Sequence, residues 1–142
     1  MITLLSLFLL FAPSAPMSLA QVRAEANPEH RARAAIDYAA VAERSAETAY
    51  DKGEMNSVEA ELKNVEKSFE IAQESFDAAH KTPGRNPGPF KYAEMHSREL
   101  LIRLGDLEQK MDVADRAAIT GVKTKVQQLH DAWFEGIMGR KK

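Results

Sequence analysis

The sequence predicts an all-α protein, either an up-down-up-down four-helix bundle or antiparallel helical hairpins that associate. Two observations carry this expectation. Apolar residues recur at steps of three and four through four successive segments, while no stretch alternates apolar and polar residues as a half-buried strand does. The segments are also nearly equal, roughly 23 to 26 residues each, with two of the three links between them almost absent.

Ahead of the helices, Ile2 to Ala12 (ITLLSLFLLFA) forms an apolar run of secretory-signal length, short of the ~20 residues that span a bilayer. Ser18, Leu19 and Ala20 then place small residues where a signal peptidase reads, so residues 1–20 are read as a signal peptide with cleavage before Gln21. Val22, Arg23 and Ala24 offer a second cut, before Glu25. This predicts a periplasmic or secreted protein with no integral membrane segment after cleavage, a flexible N-terminus over 21–26, a four-helix domain over 27–139 and a basic tail over 140–142. The chain has no cysteine, which excludes a lipoprotein anchor, a disulfide framework and thioether-linked haem, and leaves stability to a packed core.

The first helix is expected over 28–52. Asn27 suits the N-cap, Pro28 the first helical position, and Glu29 the helix dipole. Ala32, Ala35, Ile36, Ala39, Ala42, Ala46, Ala49 and Tyr50 then line one face, and Gly53 follows as a left-handed C-terminal residue. This alanine face permits close helix approach but supplies little apolar area. The second helix, over 56–81, has the clearest seam: Met55, Val58, Leu62, Val65, Phe69, Ala72, Phe76 and Ala79 alternate steps of three and four. Asn56 and Glu59 have capping-box spacing, with Met55 as the staple.

After a segment rich in proline and glycine, Pro89 restarts a helix over 89–111 with Phe90, Ala93, Ser97, Leu100, Leu104, Leu107 and Met111 on its seam. Asp112 and Asp115 cap the fourth helix, over 113–138, whose seam is Ile119, Val122, Val126, Leu129 and Trp133. Gly139 ends it, and the cations of Arg140, Lys141 and Lys142 suit a helix C-terminus.

Charge is divided along the chain. Residues 21–80 hold thirteen acids against seven bases, whereas 81–142 hold eight against twelve, so the two halves attract each other within one molecule or between copies. The net charge of −2 and a pI near 6 argue against general nucleic-acid binding.

Three resemblances accompany these patterns. The stretch AETAYDKGEMNSVEAEL, through Ala46, Ala49, Tyr50, Gly53, Met55 and Val58, resembles the turn between the helices of a tetratricopeptide repeat. It covers one hairpin, and no second copy follows at the ~34-residue period of such arrays. The stretch MDVADRAAITGVKTKVQQLHDAW resembles helix openings of small periplasmic stress proteins that respond to metals or unfolded chains, but Lys123 stands where their Leu-Thr-x-x-Gln signature has glutamine. The chain as a whole, with segments such as RNPGPFKYAEMHSRELL and GIMGRKK, resembles small exported all-helical bacterial proteins of unknown function, which implies export and a helical fold.

The candidate metal ligands are His80, His96 and His130, with Asp77 three residues before His80 on the same helical face. An up-down bundle brings all four histidines, His30 included, toward one end, and imidazole with carboxylate suits zinc or copper. Heptad register opposes this reading by placing His80, His96 and His130 on flanking positions and His30 on an outward one, where polar residues are ordinarily solvated. The sequence has no phosphate loop, serine elbow, HExxH motif or Glu-x-x-His pair. The expectation is a non-enzymatic protein without a cofactor, meeting a protein partner or its own copies through helix surfaces. The alternative is a metal-responsive or chaperone-like periplasmic bundle.

Overall fold

The computed structural model describes residues 18–139. The apolar run and the basic tail lie outside the described residues. A short helix, α1 (Leu19–Ala24), precedes four long ones: α2 (Pro28–Asp51), α3 (Met55–Ala78), α4 (Pro87–Lys110) and α5 (Ala117–Ile137), with a 3-10 turn at Val113–Asp115 before α5. There is no strand among the described residues, and the long helices pack into an all-helical bundle.

The long helices alternate in direction, yet chain order is not ring order. α2 packs on α3 and α4, and α5 packs on α3 and α4, so consecutive α3 and α4 stand across the bundle from each other. The molecule is thus two antiparallel hairpins laid side by side, with parallel helices as neighbours across the join. Residues 79–86 carry the chain across one end. At that end the Phe76 ring stacks on Phe90 at 4.1 Å, and both Phe69 and Phe76 meet the ring of Trp133. These large rings fill the space that the alanine face of α2 leaves open.

Ion pairs cross this join. Arg103 and Lys110 of α4 reach Glu43, Glu47 and Asp51 of α2, and Lys125 of α5 reaches Glu70 of α3. In each pair the acid belongs to the first hairpin and the base to the second.

The seams hold where periodicity placed them. The core includes the seven apolar residues of the α2 seam from Ala32 to Ala49, Val58 to Phe76 of α3, Phe90 to Met111 of α4, and Ile119, Val122, Val126 and Trp133 of α5. The helix ends differ from expectation, each for a local reason. α3 stops at Ala78, not at 81, because His80 takes a left-handed conformation (φ 55°). There the Lys81 N–H bonds the Phe76 carbonyl and the His80 N–H that of Asp77. This is a Schellman closure, the same that Gly53 (φ 72°) gives α2. α4 begins at Pro87, two residues before Pro89. The capping box does not form: α3 already includes Met55 and Asn56, and Glu54 at the N-cap makes no side-chain cap bond.

α5 begins at Ala117, not at 113, because Val113–Asp115 is spent on a 3-10 turn. Arg116 turns back there and donates to the carbonyls of Glu108 and Met111 at 2.9 and 3.1 Å, closing the C-terminus of α4. The Tyr50 hydroxyl ties the end of α2 to the same turn by accepting from the Asp112 N–H at 2.7 Å.

The segment 21–26, expected to be flexible, is instead largely helical. α1 is capped by Ser18 and buries Val22 against α2 and α3, and only the residues after Ala24 act as a link. Apolar burial of one valine side chain, worth about 1.5–3 kcal/mol, is what overrides the polar composition of the stretch. Both expected cleavage bonds fall in or beside this helix: 20–21 inside it, 24–25 at its end.

Candidate functional site

A second stripe runs along α4 beside its core seam. Tyr92, His96, Glu99, Arg103 and Lys110 recur at helical spacing and lie on the side of α4 that faces α2. Near the end where the chain crosses, the Tyr92 hydroxyl donates to the Asp37 carboxylate, and the Arg33 guanidinium lies 4.3 Å from the centre of the Tyr92 ring. The His96 ring also packs on Tyr92, centres 4.1 Å apart, with Nδ1 3.8 Å from Glu99. Burial, followed by the bond to Asp37, raises the Tyr92 phenol above its ordinary pKa and keeps it protonated and donating.

This cluster borders a cleft of about 340 Å3 between the first turns of α2 and α4. Ile36, Phe76, Pro89 and Ala93 give it apolar walls, and Glu29, His30, Arg33 and Tyr92 supply its polar groups. Glu29 is 3.9 Å from Lys81. No carboxylate lies within 4.0 Å of Arg33 among the described residues, so its planar cation is held by an aromatic ring and lacks an acid partner.

Farther along the same seam sits Glu43, which is 0% exposed, and neither of its carboxylate oxygens has a hydrogen-bond partner. Arg103 Nη1 is 3.7 Å from Oε2, an ion contact too long to be a hydrogen bond. Desolvation first, and the neighbouring Glu47 second, raise the Glu43 pKa; Arg103 and Arg44 oppose the rise. The other buried polar side chains are all satisfied: Ser68 and Ser97 donate to backbone carbonyls, and Ser75 accepts from Arg31.

The sequence candidates are dispersed. His80 is exposed at the left-handed position after α3. Asp77 is exposed and accepts from Gln73 within α3 at 3.0 Å. His96 faces α2, whereas His130 points to the other side of α4, with Nε2 3.2 Å from Glu94 and Nδ1 3.1 Å from Asp131. The His130 contact, then Gln127, hold the Asp131 carboxyl below its usual pKa. No group of three or more His, Asp or Glu is placed to hold a metal ion among the described residues. The histidines share an end of the bundle but not a face of it.

Heptad reasoning passed over Arg33, Asp37, Glu43 and Tyr92 because it followed only the apolar seam. Their signal was nonetheless present: Tyr92, His96, Glu99, Arg103 and Lys110 repeat at 4, 3, 4 and 7 residues, a polar face displaced to one side of the seam. What the sequence could not supply was that this face meets α2, since that follows from the diagonal crossing.

Fold and site together define a helical bundle of two hairpins, crossed by ion pairs, with a small cleft at the join. Comparison with family models, curated proteins and solved structures gives no match.

Proposed function

We propose that this chain is an exported helical protein, periplasmic or secreted, that acts without catalysis by presenting one hairpin to a protein partner. The observation that supports the surface reading is where large apolar side chains reach solvent. Met95 and Ile102 of α4, Val113 of the turn, and Phe134 and Met138 of α5 are exposed, Ile102, Val113 and Met138 by more than 60%. All five belong to the second hairpin; the first exposes no large hydrophobic side chain among the described residues. Single exposed apolar residues are ordinary, but their confinement to one of two otherwise similar hairpins singles that hairpin out. Polar pairs such as Tyr92 with Asp37 and Lys110 with Asp51 join one helix to another, which favours a scaffold role over catalysis. A chaperone-like role would draw on the same apolar face; the dispersed histidines lend a metal-responsive role no support.

Export is supported by the apolar run and the small residues ending at Ala20. Both parts of the proposal are tested in one preparation. Intact mass of the envelope-fraction protein should correspond to a mature chain starting at Gln21, or at Glu25, and a retained Met1 defeats the export reading. Crosslinking should recover a partner that the double variant Ile102→Lys, Phe134→Lys loses while keeping its circular dichroism spectrum, since both positions are exposed. Equal recovery by the folded variant defeats the surface reading.

A further inference from the structure

The cleft between α2 and α4 is separate from the outer face of the second hairpin, and its chemistry narrows what it can hold. Its volume of about 340 Å3 is at the small end of ligand sites, which run from about 300 to 1,000 Å3. Pro89 and the nearly covered surfaces of Ile36, Phe76 and Ala93, each exposed by 3% or less, offer a narrow apolar floor that asks no hydrogen bond of a ligand. At the opening, the exposed side chain of Arg33 sets its guanidinium 4.3 Å from the centre of the Tyr92 ring, with no carboxylate within 4.0 Å among the described residues. Tyr92 is itself held, because its hydroxyl donates to Asp37 and Asp37 is thereby occupied. A guanidinium pre-positioned this way matches the two oxygens of a carboxylate and loses little freedom on binding one.

The rest of the rim limits the ligand's charge. Glu29 also lines the cleft, and its partner Lys81 stands 3.9 Å away, so the carboxylate is incompletely neutralised there. A second negative charge on the ligand would meet Glu29, while the first meets Arg33. We propose that the cleft is a binding site for a small amphipathic monocarboxylate, with its apolar body against Ile36, Phe76, Pro89 and Ala93 and its carboxylate on Arg33. The proposal stands independently of the partner face on the second hairpin.

The test uses 3-phenylpropionate, its neutral amide and a dicarboxylate of similar length, titrated into the purified protein and followed by amide chemical shifts. Shifts should cluster at Ile36, Gly88 and Ala93, and the monocarboxylate should bind about tenfold or more tightly than the amide. Arg33→Gln should bring the acid and the amide within about twofold of each other. Gly88→Leu, at a cleft-lining position where an added Cβ meets no atom within 4 Å, should weaken both probes without disturbing the fold. Equal binding of acid and amide to the wild type overturns the anion assignment. Tighter binding of the dicarboxylate overturns the role of Glu29. Absence of shifts at the cleft residues overturns the site altogether.

Discussion

Replacing Glu43 by leucine should make the bundle more stable, and increasingly so as pH rises. Glu43 is wholly buried on α2, with both carboxylate oxygens unbonded, and its one ion contact is with an Arg103 side chain that is itself 47% exposed. Desolvating a carboxylate costs several kcal/mol, and a partner at 3.7 Å that remains half in water returns only part of that. Exchanging a whole buried ion pair for apolar groups stabilises by about 1–4 kcal/mol. Glu43→Leu removes one partner, and because Arg103 stays half in water and is not left as a buried charge, a gain of about 1–2 kcal/mol is expected.

The pH dependence has a definite sign. Burial raises the folded-state pKa of Glu43 above its ordinary value of 4.5. Below that value folded and unfolded chains both carry the proton, and only the smaller cost of burying an unpartnered neutral carboxyl remains. Above it, the unfolded chain releases the proton while the folded chain retains it, so the contribution of Glu43 to stability falls with rising pH until the folded-state pKa is passed. Urea melts of wild type, Glu43→Leu and Glu43→Gln from about pH 4.5 to about pH 8 isolate this effect, because the other carboxylates cancel in the difference between variant and wild type. The advantage of Glu43→Leu should be smallest at the acid end and grow upward. Glu43→Gln keeps the shape, removes the titration and should show the same trend with a smaller gain, since its amide still lacks partners. A difference that is flat across this range, or a leucine variant less stable than wild type near neutrality, would refute the assignment of Glu43 as a buried, poorly compensated carboxylate.

Two further predictions concern packing. Phe69→Ala and Phe76→Ala should each cost about 3–5 kcal/mol in urea melts, because each removes a buried ring stacked on a neighbour, whereas Glu70→Ala, which loses only a half-exposed contact with Lys125, should cost about 0–1 kcal/mol. Equal costs for Phe69→Ala and Glu70→Ala would contradict the core. Gly136→Ala should destabilise by about 1–3 kcal/mol, since its Cβ would lie 2.7 Å from Pro83 and force the crossing segment off α5; an unchanged melting midpoint would show that this segment yields freely.

The helices were legible in the sequence for a simple reason. Burial on one face of a long helix imposes a period, and Val58, Leu62, Val65, Phe69, Ala72 and Phe76 display it without interruption. Their ends were less legible because single residues decide them by tertiary means. His80 adopts a left-handed conformation usually given to glycine, and Arg116, a poor cap by composition, serves the preceding helix by reaching back to Glu108 and Met111. The short α1 was missed because one buried valine in six residues makes no pattern.

The cleft was least legible, and the reason is topological. Alternating helix directions follow from short links, but they leave open which helices become neighbours. An arrangement in which each helix sat beside the next in sequence would set α3 against α4 and keep Arg33 and Asp37 from meeting Tyr92. The observed join instead sets α2 beside α4, with Glu43, Glu47 and Asp51 opposite Arg103 and Lys110. Either arrangement lays the first hairpin on the second, so the division of charge along the chain does not choose between them; the particular pairs that meet at the join differ. Exposed ion pairs of this sort add little stability, but opposite-charge register suppresses wrong pairings of similar apolar seams. On that argument the ion pairs at the join select the arrangement, the aromatic cluster stabilises it, and the cleft exists because the selected arrangement sets the first turns of α2 and α4 side by side.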